Sequence, residues 1–190
     1  MALISIIELI DLIIMTLFVG YIFKDSFKTP VKETYEPLDY YSGKKSSTFD
    51  NFKFAILVTA PAIILHEFAH KFVAMGFGLQ ATFNAAYMWL FLGLVLKLLN
   101  FGFIFFVPAY VSISGGTLLQ SIITSAAGPL MNLILWLGSA FLLKGKINKK
   151  FIPALSLTKQ INMFLFIFNI IPIPGFDGYH VFSGLFKLFF

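Results

Sequence analysis

Long apolar runs constrain what this chain can fold into more than any other feature. Hydrophobic residues make up 58% of its 190 residues, Phe alone contributes 25, and 12% are charged. A soluble domain with so few charges could not cover that much apolar surface. Each membrane crossing takes roughly 20 residues, so the chain has room for about five apolar segments. Because lipid cannot satisfy backbone polar groups, the sequence predicts an all-α polytopic membrane protein.

The hydrophobicity divides the chain into three parts. Residues 1–23 read as an N-terminal transmembrane helix that is kept as an anchor, residues 24–52 as a hydrophilic linker, and residues 53–190 as the membrane core. Two acids, Glu8 and Asp11, interrupt the first helix. They could form a ligand pair or a proton path, but the interpretation we favour is that they lie near one end of the helix or face other helices.

A His-Glu-x-x-His pattern, His66-Glu67-Phe68-Ala69-His70, lies inside an apolar run. On a helix, His66 and His70 share one face, so the two imidazoles can bind one metal ion. Glu67 can then reach a water molecule on the open side of the metal. The alternative is a pair of satisfied core histidines. We favour the metal site, because ionisable residues in lipid are costly and are retained mainly for function.

The apolar segment 85–111 allows two interpretations. It is long enough to cross a membrane, but Lys97, Asn100 and Gly102 interrupt it. A hairpin that enters and returns is therefore as good an interpretation as a full crossing, since irregular backbone is tolerated where it lines a protein cavity. The segment ends in a short extended piece that begins at Pro108.

A carboxylate in a broken helix supplies a candidate third ligand. Pro172, Pro174 and Gly175 interrupt the last apolar segment, and Asp177 follows them. The broken backbone must face protein or a wet cavity, so Asp177 can complete a His-His-carboxylate site with a fourth position open for water. An ordinary interfacial turn is the alternative. The chain has no cysteine, which excludes thiolate ligands and a cysteine nucleophile.

Three motifs together resemble one family. The segments His66–His70, Ala127-Gly128-Pro129-Leu130-Met131-Asn132 and Asn169–Gly178 occur in the order seen in prokaryotic, archaeal-type members of the site-2 protease family of intramembrane metalloproteases. Residues 54–190 carry this resemblance. The resemblance implies a three-helix catalytic core, one zinc ion bound by His66, His70 and Asp177, and Glu67 as general base.

The resemblance also implies roles around the metal. Asn169 matches a family asparagine that positions the substrate or stabilises the oxyanion. The segment Pro108–Val111 looks like the family's membrane-embedded β-strand, which would offer an edge to an extended substrate. For Asn132 two interpretations stay open: a substrate or oxyanion contact, or polar glue between helices.

These observations predict a zinc-dependent endopeptidase of the cell membrane that hydrolyses peptide bonds of transmembrane-helix substrates. The alternative is a non-catalytic zinc-binding membrane protein that holds client helices. The net charge of +5 lies mostly in two Lys-bearing loops, which fits contact with lipid headgroups and excludes a nucleic-acid partner, since no folded basic face is available. The loop lysines and the family resemblance predict opposite orientations in the membrane.

Overall fold

The computed structural model describes residues 3–29, 47–101 and 107–190. Within these residues, six α-helices and two strands follow one another along the chain. The helices are α1 (Ile6–Phe23), α2 (Thr48–Gly76), α3 (Tyr87–Leu98), α4 (Leu118–Lys144), α5 (Ile152–Ile170) and α6 (Asp177–Phe189), with a short 3-10 helix (Lys149–Phe151) before α5. The strands are β1 (Gln80–Ala85) and β2 (Ala109–Ser114).

Four of the described helices, α1, α2, α4 and α5, are long and apolar enough to cross a membrane. Each leaves large apolar side chains bare on its outer face; for example, Ile7 is 72%, Leu57 60%, Ile134 63% and Phe164 55% exposed. Such continuous apolar surface is suited to lipid and not to water. The prediction of an all-α polytopic membrane fold is confirmed, with four long helices in place of about five apolar segments.

Local sequence explains where two of these helices begin. Ser5 caps α1 by accepting a hydrogen bond from the Glu8 amide while the Glu8 carboxylate accepts one from the Ser5 amide. Thr117 and Gln120 form the same reciprocal capping box at the start of α4. Helix α2 begins at Thr48, inside the stretch assigned to the linker, and residues 30–46 of that stretch lie outside the described residues.

The segment 85–111 is a hairpin. Strands β1 and β2 pair antiparallel, with Ala85 opposite Ala109 at one end of the ladder. The chain therefore leaves and returns at the same place, after a helix of 12 residues that is only about 18 Å long. A full crossing by this segment, the other alternative left open by the sequence, is excluded.

Helix α4 is the centre of the helix packing, in contact with α2, α5 and α6. Helices α2, α4 and α5 thus form a three-helix core. Helix α6 follows α5 and packs against α4 and α5. Helix α1 packs against α2 and β1. The buried apolar cluster lies there, between α1, α2 and the sheet, and includes Met15, Val19, Ile63, Phe83 and Leu90.

Candidate metal centre

Helix α2 presents His66 and His70 on one face, deep within an apolar segment. At 1.5 Å per residue, they lie about 15 Å and about 9 Å from the C-terminal end of the helix at Gly76. Both side chains are buried, and each is only 6% exposed. Their Nε2 atoms are 3.2 Å apart, so both rings point towards the same small volume.

The break between α5 and α6 brings a carboxylate to this volume. Helix α5 ends at Ile170, and α6 begins with Asp177. Gly178 allows the start of α6 to lie against the end of α5, because a Cβ at this position would lie 2.7 Å from the Ile171 carbonyl oxygen and closer still to that of Ile170. The glycine after the aspartate therefore sets where the carboxylate lies.

Three acceptor atoms converge at the centre. Asp177 Oδ2 lies 3.1 Å from His66 Nε2 and 3.2 Å from His70 Nε2. With zinc–ligand bonds of about 2.0–2.1 Å, tetrahedral geometry separates neighbouring ligand atoms by about 3.3 Å. The observed triangle fits that spacing. The structure thus brings together the three residues that the sequence predicted as metal ligands.

The hydrogen bonds around the two histidines fix their tautomers. His70 Nδ1 lies 2.7 Å from the carbonyl oxygen of Thr124, which can only accept, so this nitrogen carries a proton. His66 Nδ1 lies 2.5 Å from Asn132 Oδ1, which likewise accepts. With Nδ1 protonated, Nε2 is the atom of each ring that can bind a metal ion. Two Nε2 atoms and a carboxylate oxygen directed at one small volume, with each imidazole held through its Nδ1, form an arrangement that suits a metal ion.

A buried amide pair supports this arrangement. Asn132 Nδ2 donates to Asn162 Oδ1 at 2.9 Å and to the Ala62 carbonyl oxygen at 3.2 Å, which turns its own oxygen towards His66. Asn162 in turn donates to the Thr158 carbonyl oxygen at 2.8 Å. Both asparagines are fully buried. The structure places Asn132 behind His66, in contact with the imidazole, where it joins α4 to α2 and α5.

Gly128 leaves the space that the centre needs. A Cβ on this residue would lie 2.6 Å from His66 Nε2 and closer still to His70 Nε2. Any side chain at this position would occupy the volume between the imidazoles. The small residue thus keeps α4 close to α2 without closing the site.

Glu67 and Asn169 face an apolar cavity beside the three acceptors. The cavity has a volume of about 330 Å³ and borders His66 and Glu67 of α2, Asn169 of α5 and Pro108 before β2. Aromatic and aliphatic side chains form most of its remaining wall: Phe23, Phe27, Ile63, Val107, Ile161, Phe164, Leu165, Phe168 and Phe176. An acid beside a metal site, open to an apolar cavity, is suited to act on an apolar substrate.

Other polar residues singled out in the sequence lie elsewhere. Glu8 and Asp11 contact β1 and make no contact with the three candidate ligands. Lys97 donates to Asp25 Oδ2 at 2.6 Å, near the end of α1. His180, three residues after Asp177, is exposed and packs edge-on against the Tyr179 ring.

Comparison with known proteins gives two relatives. "Putative zinc metalloprotease MJ0611" of Methanocaldococcus jannaschii is 34% identical over 130 residues, which cover 67% of this chain and 68% of the relative. The chain belongs to the zinc metalloprotease family. "Putative zinc metalloprotease YwhC" of Bacillus subtilis is 26% identical over 150 residues, covering 70% and 68% of the two chains. No family model and no solved structure matches the chain.

Membership of a zinc metalloprotease family agrees with the donor set, since two imidazoles and a carboxylate suit zinc. It confirms the family recognised from the three motifs. Sequence reasoning missed several residues of this metalloprotease centre: the Thr124 carbonyl, Asn162 and the role of Gly128. The buried amide in the apolar helix α5 is the one signal that could have pointed to Asn162, because an isolated amide in lipid needs a partner.

Proposed function

We propose that the protein is an intramembrane zinc endopeptidase of the site-2 protease type, which hydrolyses peptide bonds within transmembrane segments of other proteins at the cell membrane. The observation that carries the proposal is the position of Glu67. It lies next to three converging metal ligands, within a helix long enough to span the membrane, and borders an apolar cavity. A protease acting on soluble peptides would have no need to bury its centre in this way.

The cavity and the sheet together suit an extended apolar substrate. The Phe83 amide points away from β2, so Phe83 and its partner Val111 form a non-hydrogen-bonded pair. The backbone groups of Val111, and of Ile113 two residues on, therefore point to the outer edge of β2. Among the described residues, no further strand pairs with that edge. A substrate unwound into a strand could pair there, close to Pro108 and the cavity.

The chain's own residues have separate roles in hydrolysis. Zinc, when bound by His66, His70 and Asp177, supplies an acidified water and polarisation of the scissile carbonyl. Glu67 accepts the proton of the attacking water and delivers it to the leaving amine. The Asn169 amide donates a hydrogen bond to the negative charge that develops on the carbonyl oxygen. The apolar wall binds substrate side chains and limits access of bulk water.

The test is cleavage by purified protein reconstituted in liposomes with a single-span substrate, followed by mass spectrometry. We expect cleavage within the apolar segment, loss of cleavage with a zinc chelator, and recovery on adding zinc. Glu67→Gln should lower the rate by about 10²–10⁴-fold while zinc stays bound. Asp50→Asn, an exposed carboxylate at the start of α2, is the matched control.

Two results would reject the proposal. Undiminished cleavage by Glu67→Gln would remove the assigned role of this residue. A wild-type protein that binds zinc and client helices but cuts none of them would identify the non-catalytic alternative.

A further inference from the structure

Two buried carboxylates of α1 occupy one edge of the small sheet. Glu8 Oε1 accepts a hydrogen bond from the Phe83 amide at 2.7 Å, and Asp11 Oδ2 accepts one from the Ala85 amide at 3.0 Å. The two amides are two residues apart in β1, so both point away from β2. Glu8 is 4% exposed and Asp11 7%. The outer edge of β1 is therefore closed by side chains of the first helix.

The same carboxylates connect this edge to the rest of the molecule. Lys71, which is 1% exposed and directly follows the metal ligand His70, donates to the same Glu8 oxygen that binds the Phe83 amide. One oxygen atom thus links β1 to the metal-binding helix. The other oxygen of Asp11 accepts a hydrogen bond from the hydroxyl group of Tyr87, at the start of α3.

We propose that Glu8 and Asp11 are positioning residues that hold the sheet at one place along α2, and thereby determine which peptide bond of a strand-like substrate reaches the metal centre. The inference rests on the proposed function. It gives the first helix, which lies outside the part of the chain that carries the family motifs, a role in the choice of cleavage site.

Apolar packing alone would not fix the position of the sheet along α2, because its pattern repeats along a strand. Directional hydrogen bonds are therefore needed. Side chains alternate between the two faces, so a shift by two residues, about 6.6–6.8 Å, returns the same faces to the same sides. Ala81, Phe83 and Ala85 share one face of β1 and are all apolar. Their packing resists a one-residue slip strongly and a two-residue slip less. Hydrogen bonds donated by the Phe83 and Ala85 amides to fixed carboxylates distinguish these positions.

The first test is the map of cleavage sites in the reconstituted protein. Asp11→Leu removes the acceptor of the Ala85 amide, so we expect additional cleavage two residues from the wild-type bond, with zinc content unchanged. Asp11→Asn keeps an acceptor oxygen and should restore the single site. Asp50→Asn is the control for loss of a carboxylate away from the sheet. Cleavage of Asp11→Leu at the wild-type bond alone would overturn the proposal.

The second test does not depend on activity. Amide hydrogen exchange at Ala85 should become about tenfold faster in Asp11→Leu and stay slow in Asp11→Asn. The double variant Glu8→Met/Lys71→Met removes the ion pair without leaving a buried charge, and should speed exchange at Phe83. Unchanged exchange in both variants would overturn the positioning role. A wild-type protein that cuts no substrate would instead overturn the proposed function and with it the choice of cleavage site.

Discussion

Two buried polar clusters lie on different faces of α2, and they differ in how their polar groups are paired. At the metal centre, the Nε2 atoms of His66 and His70 and a carboxylate oxygen of Asp177 are directed at one small volume, as three potential metal ligands. The second cluster, which we call the α1 cluster, consists of Glu8, Asp11 and Lys71. One Glu8 oxygen accepts hydrogen bonds from Lys71 and the Phe83 amide, and the other accepts one from the Ser5 amide. The first cluster can therefore bind a cation, whereas the carboxylates of the second are already paired with donors of the protein.

The comparison separates ligand-binding polar groups from structural ones in a chain where both are buried. Burial alone does not distinguish them, since Glu8 and His66 are 4% and 6% exposed. The hydrogen-bond and ion-pair partners of each polar group distinguish the ligand-binding groups from the structural ones. Changes at the metal centre should alter zinc content first, and changes in the α1 cluster should alter stability first.

The largest effect is expected from Gly128→Ala. Its Cβ would lie between the two imidazoles, so the variant should retain almost no zinc and no cleavage activity while the helices stay folded. Metal analysis of the purified protein and circular dichroism measure the two quantities. Gly138→Ala, in the same helix but with open space around the added carbon, is the matched control and should bind zinc normally. Full zinc content in Gly128→Ala would show that the metal does not lie between the histidines.

Next is Lys71→Met, which leaves the buried Glu8 carboxylate without its cation. Loss of one partner of a buried ion pair costs about 3–5 kcal/mol in the free energy of unfolding. The double variant Glu8→Met/Lys71→Met should cost less than the two single changes together. Denaturant unfolding in detergent measures these values. Zinc content should stay at the wild-type level in any variant that folds, and loss of zinc from a folded Lys71→Met protein would contradict the separation of the two clusters.

A smaller effect is expected from Asn132→Leu, which removes the acceptor for His66 Nδ1. Loss of a partner behind a metal ligand typically weakens metal affinity by about 10–100-fold. Asn162→Leu should weaken it less, because Asn162 acts through Asn132. Zinc competition with a fluorescent chelator measures the affinities. Ser139→Ala, another buried polar residue of α4, serves as control. Equal zinc affinity in Asn132→Leu and wild type would limit the role of Asn132 to hydrogen bonding between helices.

The smallest effect is the pH dependence of the pair between Asp25 and Lys97. The hydrogen bond from Lys97, opposed in part by desolvation, lowers the pKa of Asp25 from its ordinary value of 3.8. A lowered pKa in the folded state stabilises the protein above pH 3.8, and that stability is lost as the pH falls through the folded value. Because the Asp25 side chain is 67% exposed, solvent screening limits the contribution to about 0.2–1 kcal/mol. Asp25→Asn should lower the melting temperature slightly at pH 6 and by less as the pH falls below 3.8, which thermal unfolding at a series of pH values measures.

The sequence predicted those parts of the site that depend on local spacing. The shared face of His66 and His70 follows from helix geometry, and the backbone break before Asp177 follows from two prolines and a glycine. The membrane fold follows from the apolar runs. These features need no knowledge of how distant segments pack.

The remaining features depend on how helices are rotated against one another. The Glu8–Lys71 pair joins residues 63 positions apart, and Asn132 meets Asn162 across two helices. No local pattern fixes those rotations. The charges in apolar helices include Glu8, Asp11 and Lys71, and the cost of burying each alone was the available indication that they pair. The hairpin at 85–111 stayed undecided because its strand pairing is also non-local.

Whether His66, His70 and Asp177 bind zinc is tested by the zinc content of purified wild-type protein and of His66→Ala, His70→Ala and Asp177→Ala. Inductively coupled plasma mass spectrometry measures the metal, and circular dichroism checks folding. We expect about one zinc per chain in the wild type and a loss of most of it in each folded variant, since three protein ligands are needed to hold the ion. Undiminished zinc in Asp177→Ala, or a wild-type protein that binds none, would show that these residues do not form a zinc site.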